Sequence, residues 1–214
     1  MTPEPENAVH GYELAYRLAA EQLSGVKDLE LLCRNSGARP ETTGDRLFIV
    51  LEYLGKTYRI KHPEVEIFPV EGSTPVPLRD KLLMLHYLNR ANGTPLSGRL
   101  ITYQELPEGI AYAGNFKKRA IKPLLEAFGS RMELMLQAGE RLFGAARSDA
   151  GDVSVVINAF PRLPVTLVLW QGDEELAADS NLLFDSSIPG YLSPEDITVL
   201  CETITRALSH FTKD

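Results

Sequence analysis

Five acids stand within thirteen residues in the last quarter of the chain: Asp173, Glu174, Glu175, Asp179 and Asp185. Carboxylates this close together can hold a hard cation through oxygen, or divide the roles of general acid and general base. Asp173 to Glu175 follow directly on an apolar run and read more readily as a solvated loop. Asp185 is placed differently. It lies between Leu182-Leu183-Phe184 and Ser186-Ser187, where it either caps backbone donors or serves a site. Nearby, Arg162 in the turn Pro161-Arg162-Leu163-Pro164 can grip an anionic group bidentately. A pocket under the Asp185 loop is expected, with Arg162, Asp173, Asp185 and Tyr191 as its polar groups and Trp170 and Phe184 as its walls. No residue is assigned a catalytic role and no cofactor is specified. A metal-assisted hydrolase or lyase is the alternative, with Asp173, Glu175 and Asp185 as oxygen ligands. A protein-interaction module without chemistry is the third reading.

Other chemistries lack their residues. His10, His62, His86 and His210 are scattered, none three or four residues from another His or a Cys, so a histidine metal site would need tertiary convergence. The two cysteines, Cys33 and Cys201, form no CxxC and can build neither a disulfide framework nor a cysteine-rich zinc or iron–sulfur site. Ser186 and Ser187 are not in a GxSxG context, and neither GxGxxG nor GxxxxGK[ST] occurs.

The net charge of −7 comes from 22 basic and 29 acidic residues, which argues against a nucleic-acid surface. From Asp149 onward there are 11 acids and 3 bases, while residues 115–147 hold 7 bases and 3 acids. The basic cluster Lys117, Lys118, Arg119 and Lys122 is therefore expected to pair with the acidic C-terminal part. The opening Met-Thr-Pro-Glu-Pro-Glu-Asn lacks a signal-peptide pattern, and no run approaches a membrane span. A cytoplasmic protein that binds neither nucleic acid nor membrane is the expectation.

The elements that must position these residues follow from periodicity. Residues 1–7 read as a polar tail. Helical spacing of Val9, Tyr12, Tyr16, Leu18, Ala19 and Leu23 predicts a first helix, and Asp28 caps a short second one through Cys33. Residues 46–70 predict an antiparallel meander, with strands at 46–53, 57–61 and from Val65. A helix follows from Leu78 to Asn92, then a strand from Arg99 to Gln104. Helices at 113–147 are interrupted by Pro123, with Ser130 and Glu133 as a capping box and Met132, Leu136, Leu142 and Phe143 facing the core. Val153–Phe160 and Val165–Gly172 predict two buried antiparallel strands, and Ser193-Pro194-Glu195-Asp196 starts the last helix. Strands and helices in this order give an α+β fold: a largely antiparallel sheet packed against helices, closed by the C-terminal helix. The chain reads as one domain, 1–214, with a division into 1–74 and 75–214 as the alternative.

Three blocks carry a resemblance: residues 95–109 (Pro95 to Gly109), 160–176 (Phe160 to Leu176) and 181–197 (Asn181 to Ile197). In order and spacing they resemble a family of uncharacterised proteins from anaerobic bacteria and archaea. Some members of that family are joined to a ferredoxin-like cysteine domain. The resemblance implies a cytoplasmic ligand- or cofactor-binding accessory protein of anaerobic metabolism, serving a small molecule or a redox or corrinoid-type partner protein. It carries over no catalytic residues, and this chain lacks the cysteine-rich extension.

Overall fold

Helical spacing at the start of the chain yields α1, Glu6–Ser24. A computed structural model describes residues 6–212. Residues 1–5 of the expected polar tail lie outside the described residues, as do the side chains of residues 6–10, His10 among them. Helix α2, Leu29–Ser36, begins where Asp28 accepts the Leu31 N–H at 2.9 Å, and it stops at Gly37, whose φ of 74° is left-handed.

The meander has four strands rather than three: β1 Arg39–Thr43, β2 Arg46–Tyr53, β3 Lys56–His62 and β4 Ile67–Pro69, in that spatial order. Sequence reasoning missed β1 because Arg39-Pro40-Glu41-Thr42-Thr43 is an edge strand with no buried residue, so it carries no apolar signal. Helix α3, Leu78–Arg90, buries Leu82 to Leu85, Tyr87 and Leu88.

The expected strand at 99–104 shortens to β5, Leu100–Ile101. Glu105 reaches back to accept the Thr102 N–H at 2.7 Å, and this capping box turns Tyr103–Glu105 into a 3-10 turn. Helix α4, Gly109–Phe116, runs through a π-helical turn, Lys117–Ile121, into α5, Lys122–Phe128. Pro123 has no N–H for the carbonyl one turn back, and the widened turn sits just before it. Helix α6, Met132–Phe143, starts without the expected Ser130 cap; Arg131 holds the cap position and Glu133 pairs with Arg147 at 3.3 Å. Its buried face is Met135, Ala138 and Gly139, one position off the expected stripe, which is only partly buried.

The second sheet is β5–β9–β8–β7–β6, antiparallel throughout, with β6 Ala146–Ser148, β7 Val153–Phe160, β8 Leu163–Trp170 and β9 Asp179–Asp185. The residues around Leu183 thus form a full strand. Strand β8 is buried at every residue from Val165 to Leu169, which is why it lacks apolar/polar alternation. Helix α7, Pro194–Phe211, closes the fold as expected, capped by Ser193.

One apolar cluster runs through both sheets and the helices between them. The sheets meet where the Leu54 N–H donates to the Ala159 carbonyl at 3.0 Å. Tyr87 of α3 lies at that junction, stacked on Phe160 with ring centroids 4.1 Å apart and on Tyr191 at 5.8 Å. No helix among the described residues is long and apolar enough to cross a membrane.

Candidate functional site

The six residues expected to line one pocket are divided between two ends of the second sheet. Strands β8 and β9 pair so that Val165 faces Phe184 and Trp170 faces Asp179. Arg162, Asp185 and Tyr191 therefore gather at one end, while Trp170 and Asp173 stand at the other, about 20 Å of strand away. Phe184 stands at the Asp185 end but inside the core. It is fully buried and packs edge-on against Phe116 at 6.2 Å. Trp170, expected in the buried strand, is exposed at its last position.

Asp185 is saturated. Oδ1 accepts the Ser97 N–H and hydroxyl at 3.0 Å and the Ser187 N–H at 2.9 Å, and Oδ2 accepts the Gly98 N–H at 2.8 Å. Burial pushes its carboxyl up, but the backbone donors of Ser97, Ser187 and Gly98 outweigh burial and hold it down at about 2. The acid latches residues 97–98 to the end of β9, which accounts for its place between an apolar run and two serines. Arg162 donates to the Arg34 carbonyl at 3.0 Å, and the Tyr191 hydroxyl donates to the Thr94 carbonyl. These groups hold chain segments to one another.

Asp173 closes its own loop, accepting the Glu175 and Leu176 N–H groups at 2.8 Å. Among the described residues no group of three or more His, Cys, Asp or Glu is arranged to hold a metal ion. The ligand set Asp173, Glu175 and Asp185 does not form, because the sheet separates its members. Both cysteines are buried, and burial raises their thiols, Cys33 to about 11 and Cys201 further, so neither supplies a thiolate at neutral pH.

A different pair has its chemistry left open. Ser193 and Asp196 form the capping box of α7: the Ser193 Oγ accepts the Asp196 N–H at 3.2 Å and donates to Asp196 Oδ2 at 2.6 Å. The other carboxylate oxygen, Oδ1, lies 2.6 Å from His86 Nδ1, on α3, 110 residues away in sequence. Burial pushes the Asp196 carboxyl up; the hydrogen bonds from His86 and Ser193 outweigh it and keep the acid ionised. An ionised carboxylate only accepts, so Nδ1 carries the proton, and Nε2 has no partner among the described residues.

This imidazole lies in the wall of a 310 Å³ cavity bounded by α1, α3 and α7. Tyr12, Ala15, Leu82, Leu83 and Val199 supply the apolar lining, and Arg79, Glu195 and Asp196 join His86 as its polar members. Arg79 and Arg119 are both tied to Glu202 of α7, Arg119 also to Glu195 at 3.1 Å, and Arg206 to the second Glu202 oxygen at 2.7 Å. Burial raises the Glu202 carboxyl, but the two guanidiniums of Arg79 and Arg119 lower it below the usual range. The expected pairing of the basic cluster with the acidic C-terminal part is thus made by Arg119, whereas Lys122 pairs with Glu126 of its own helix.

The three blocks of resemblance converge around the Asp185 end: Ser97 and Gly98 from the first, Arg162 from the second, Asp185 and Tyr191 from the third. Residues 28–207 match the family described as "Domain of unknown function (DUF3786)". The chain belongs to that family. The DUF3786 match opens at Asp28, the cap of α2, and ends inside α7, so it takes in both the Asp185 latch and the His86–Asp196 pair. Helix α1, which supplies Tyr12 and Ala15 to the cavity, lies outside it. Neither the curated proteins nor the solved structures include a match to this chain.

Sequence reasoning missed His86 because it searched for ligands at helical spacing. The available signal was a single His inside the apolar run Leu82 to Leu88. Asp196 was legible as a helix-capping acid, but its second oxygen was not.

Proposed function

We propose that this DUF3786 protein binds a small, mainly apolar molecule with one polar end in the cavity between α1, α3 and α7. The observation that carries the reading is the oriented imidazole. Asp196 fixes His86 at Nδ1, and the ring forms part of the wall of a mainly apolar cavity of a size that suits small ligands. In the neutral ring Nε2 accepts, so it suits a hydroxyl or N–H on the ligand. Ser193 bonds to Asp196 and not to His86, so the trio lacks the nucleophile-to-base contact of a hydrolytic triad. Ligand binding is therefore favoured over acyl transfer.

An accessory role in anaerobic metabolism, in the cytoplasm, follows from the resemblance described above. A redox or corrinoid partner protein would bring its own cluster or cofactor, because neither buried thiol here suits an iron–sulfur ligand. Phenol, a ring with one hydroxyl, is a direct probe. Millimolar phenol should shift the backbone NMR resonances of Leu82, Leu83 and Val199 and the His86 ring signals, and Val199→Trp should abolish those shifts. An absence of shifts in the wild-type protein, or shifts that survive Val199→Trp, would sink the reading.

A further inference from the structure

A second cavity, of 630 Å³, lies between the β2–β3 turn and the start of α3 and is independent of the His86 reading. Its walls follow from the sequence. The turn between β2 and β3 places Leu54 and Gly55 at φ of 49° and 74°, which lifts Lys56 and Thr57 to one rim. Pro75, Val76 and Pro77 run extended to the start of α3 and form the opposite rim, stiffened by the fixed φ of each proline. Tyr58 and Asp80 line the interior between these rims.

Asp80 is the unusual member. The Tyr53 hydroxyl donates to Oδ1 at 3.1 Å, and it is the only hydrogen-bond donor to this carboxylate among the described residues. Two cations are near without pairing. Arg79, the adjacent residue, turns away to Glu202, and Lys56 makes no ion pair with Asp80 within 4.0 Å. Glu71 on the rim is a like charge. Burial dominates and raises the Asp80 carboxyl above its usual range, although the Tyr53 hydrogen bond, Arg79 and Lys56 all act the other way. A partly buried carboxylate with one hydrogen bond and no ion pair keeps acceptor capacity for a cationic ligand at the cavity wall.

We infer that this cavity is a binding site for a small organic ammonium compound, whose cation sits against Asp80 and the ring of Tyr58. A carboxylate beside aromatic rings is the chemistry that recognises such cations. A metal ion is disfavoured by the donor set, since one carboxylate and one rim glutamate fall short of the six or more oxygens a hard cation needs.

Choline and its neutral carbon isostere, 3,3-dimethylbutan-1-ol, separate charge recognition from burial of the same shape. Titration calorimetry on the full chain should show choline binding and no comparable binding of the alcohol. Asp80→Asn keeps the shape and an acceptor for Tyr53, and should weaken choline by about tenfold or more, the scale of one lost charge-assisted contact. That variant should melt no lower than the wild type, because it removes a partly buried charge that no cation pairs. Lys56→Met tests whether Lys56 is the resident counter-ion: choline should bind equally or more tightly once a competing cation is gone. Equal binding of the alcohol, unchanged choline affinity in Asp80→Asn, or no choline binding by either the wild type or Lys56→Met would each overturn the inference.

Discussion

The acid that ends β9 and the acid that begins the last helix are both largely withdrawn from solvent and both ionised, yet they differ in what they leave over. Asp185 takes four hydrogen bonds, all from Ser97, Gly98 and Ser187, and so ties one chain segment to another. Asp196 divides its two oxygens, one to the Ser193 cap and one to His86, and passes its influence to a ring nitrogen in a cavity wall. The same chemical group is a latch in one place and a positioning residue in the other. What decides between them is whether the hydrogen-bond capacity closes within the backbone or extends to a side chain with a second functional atom.

The sharpest way to break this contrast is Asp185→Asn. The amide would turn a donor toward N–H groups that need an acceptor, leaving buried donors unsatisfied. The expected loss is about 3 kcal/mol in urea unfolding. Phenol binding per folded molecule should be unchanged, and a selective loss of binding would return Asp185 to the site. The acid side carries a matching signature. The folded-state carboxyl sits at about 2 and its usual value is 3.8, so its contribution is fully present above pH 4 and is lost as pH falls toward 2. Asp196 and Glu202, also lowered, act in the same direction. Urea midpoints between pH 2 and 6 should fall steeply in the wild type and less so in Asp185→Asn.

Glu202→Gln is expected to be next. It removes the shared anion from Arg79, Arg119 and Arg206, and the first two are largely buried at 16% and 23% side-chain exposure. A loss of about 2 kcal/mol is expected, below the full cost of breaking a deeply buried pair because Arg119 keeps Glu195. His86→Ala is expected to reverse the pattern. Its ring is one-third exposed, so stability should change by no more than about 1 kcal/mol, while phenol binding falls by about tenfold or more. If His86→Ala cost as much stability as is expected of Asp185→Asn, the two acids would be doing the same job.

These regions also differ in how far the sequence revealed them. The α+β class, the paired strands β7 and β8 and the cap of α7 were legible because each depends on neighbours in the chain: β-branched runs, a Pro-containing turn, and Ser193 followed by Pro194. Asp185 was legible as an anomaly, an acid wedged between Phe184 and Ser186, and both the cap and the site readings were open. What decides between them, the backbone of Ser97 and Gly98, lies 88 and 87 residues away. His86 and Asp80 gave less. Each looks like the polar face of an amphipathic helix, and only the approach of α7 and of the meander to α3 gives them partners. The assumed convergence of Arg162 with Trp170 and Asp173 failed for a geometric reason: residues at the two ends of one eight-residue strand cannot share a small pocket.

The smallest effect should come from the acid that looked most conspicuous. Asp173 accepts two N–H groups, as Asp185 accepts three, but its donors are Glu175 and Leu176, two and three residues on, in an exposed loop. Water replaces such partners when the carboxylate is removed, so no donor is left buried and unsatisfied. Asp173→Ala should therefore shift stability by no more than about 0.5 kcal/mol, and its effect should be confined to faster amide exchange at Glu175 and Leu176. A loss approaching that of Asp185→Asn would mean that the number of accepted N–H groups, rather than their burial and distance along the chain, sets the value of a capping acid in this fold.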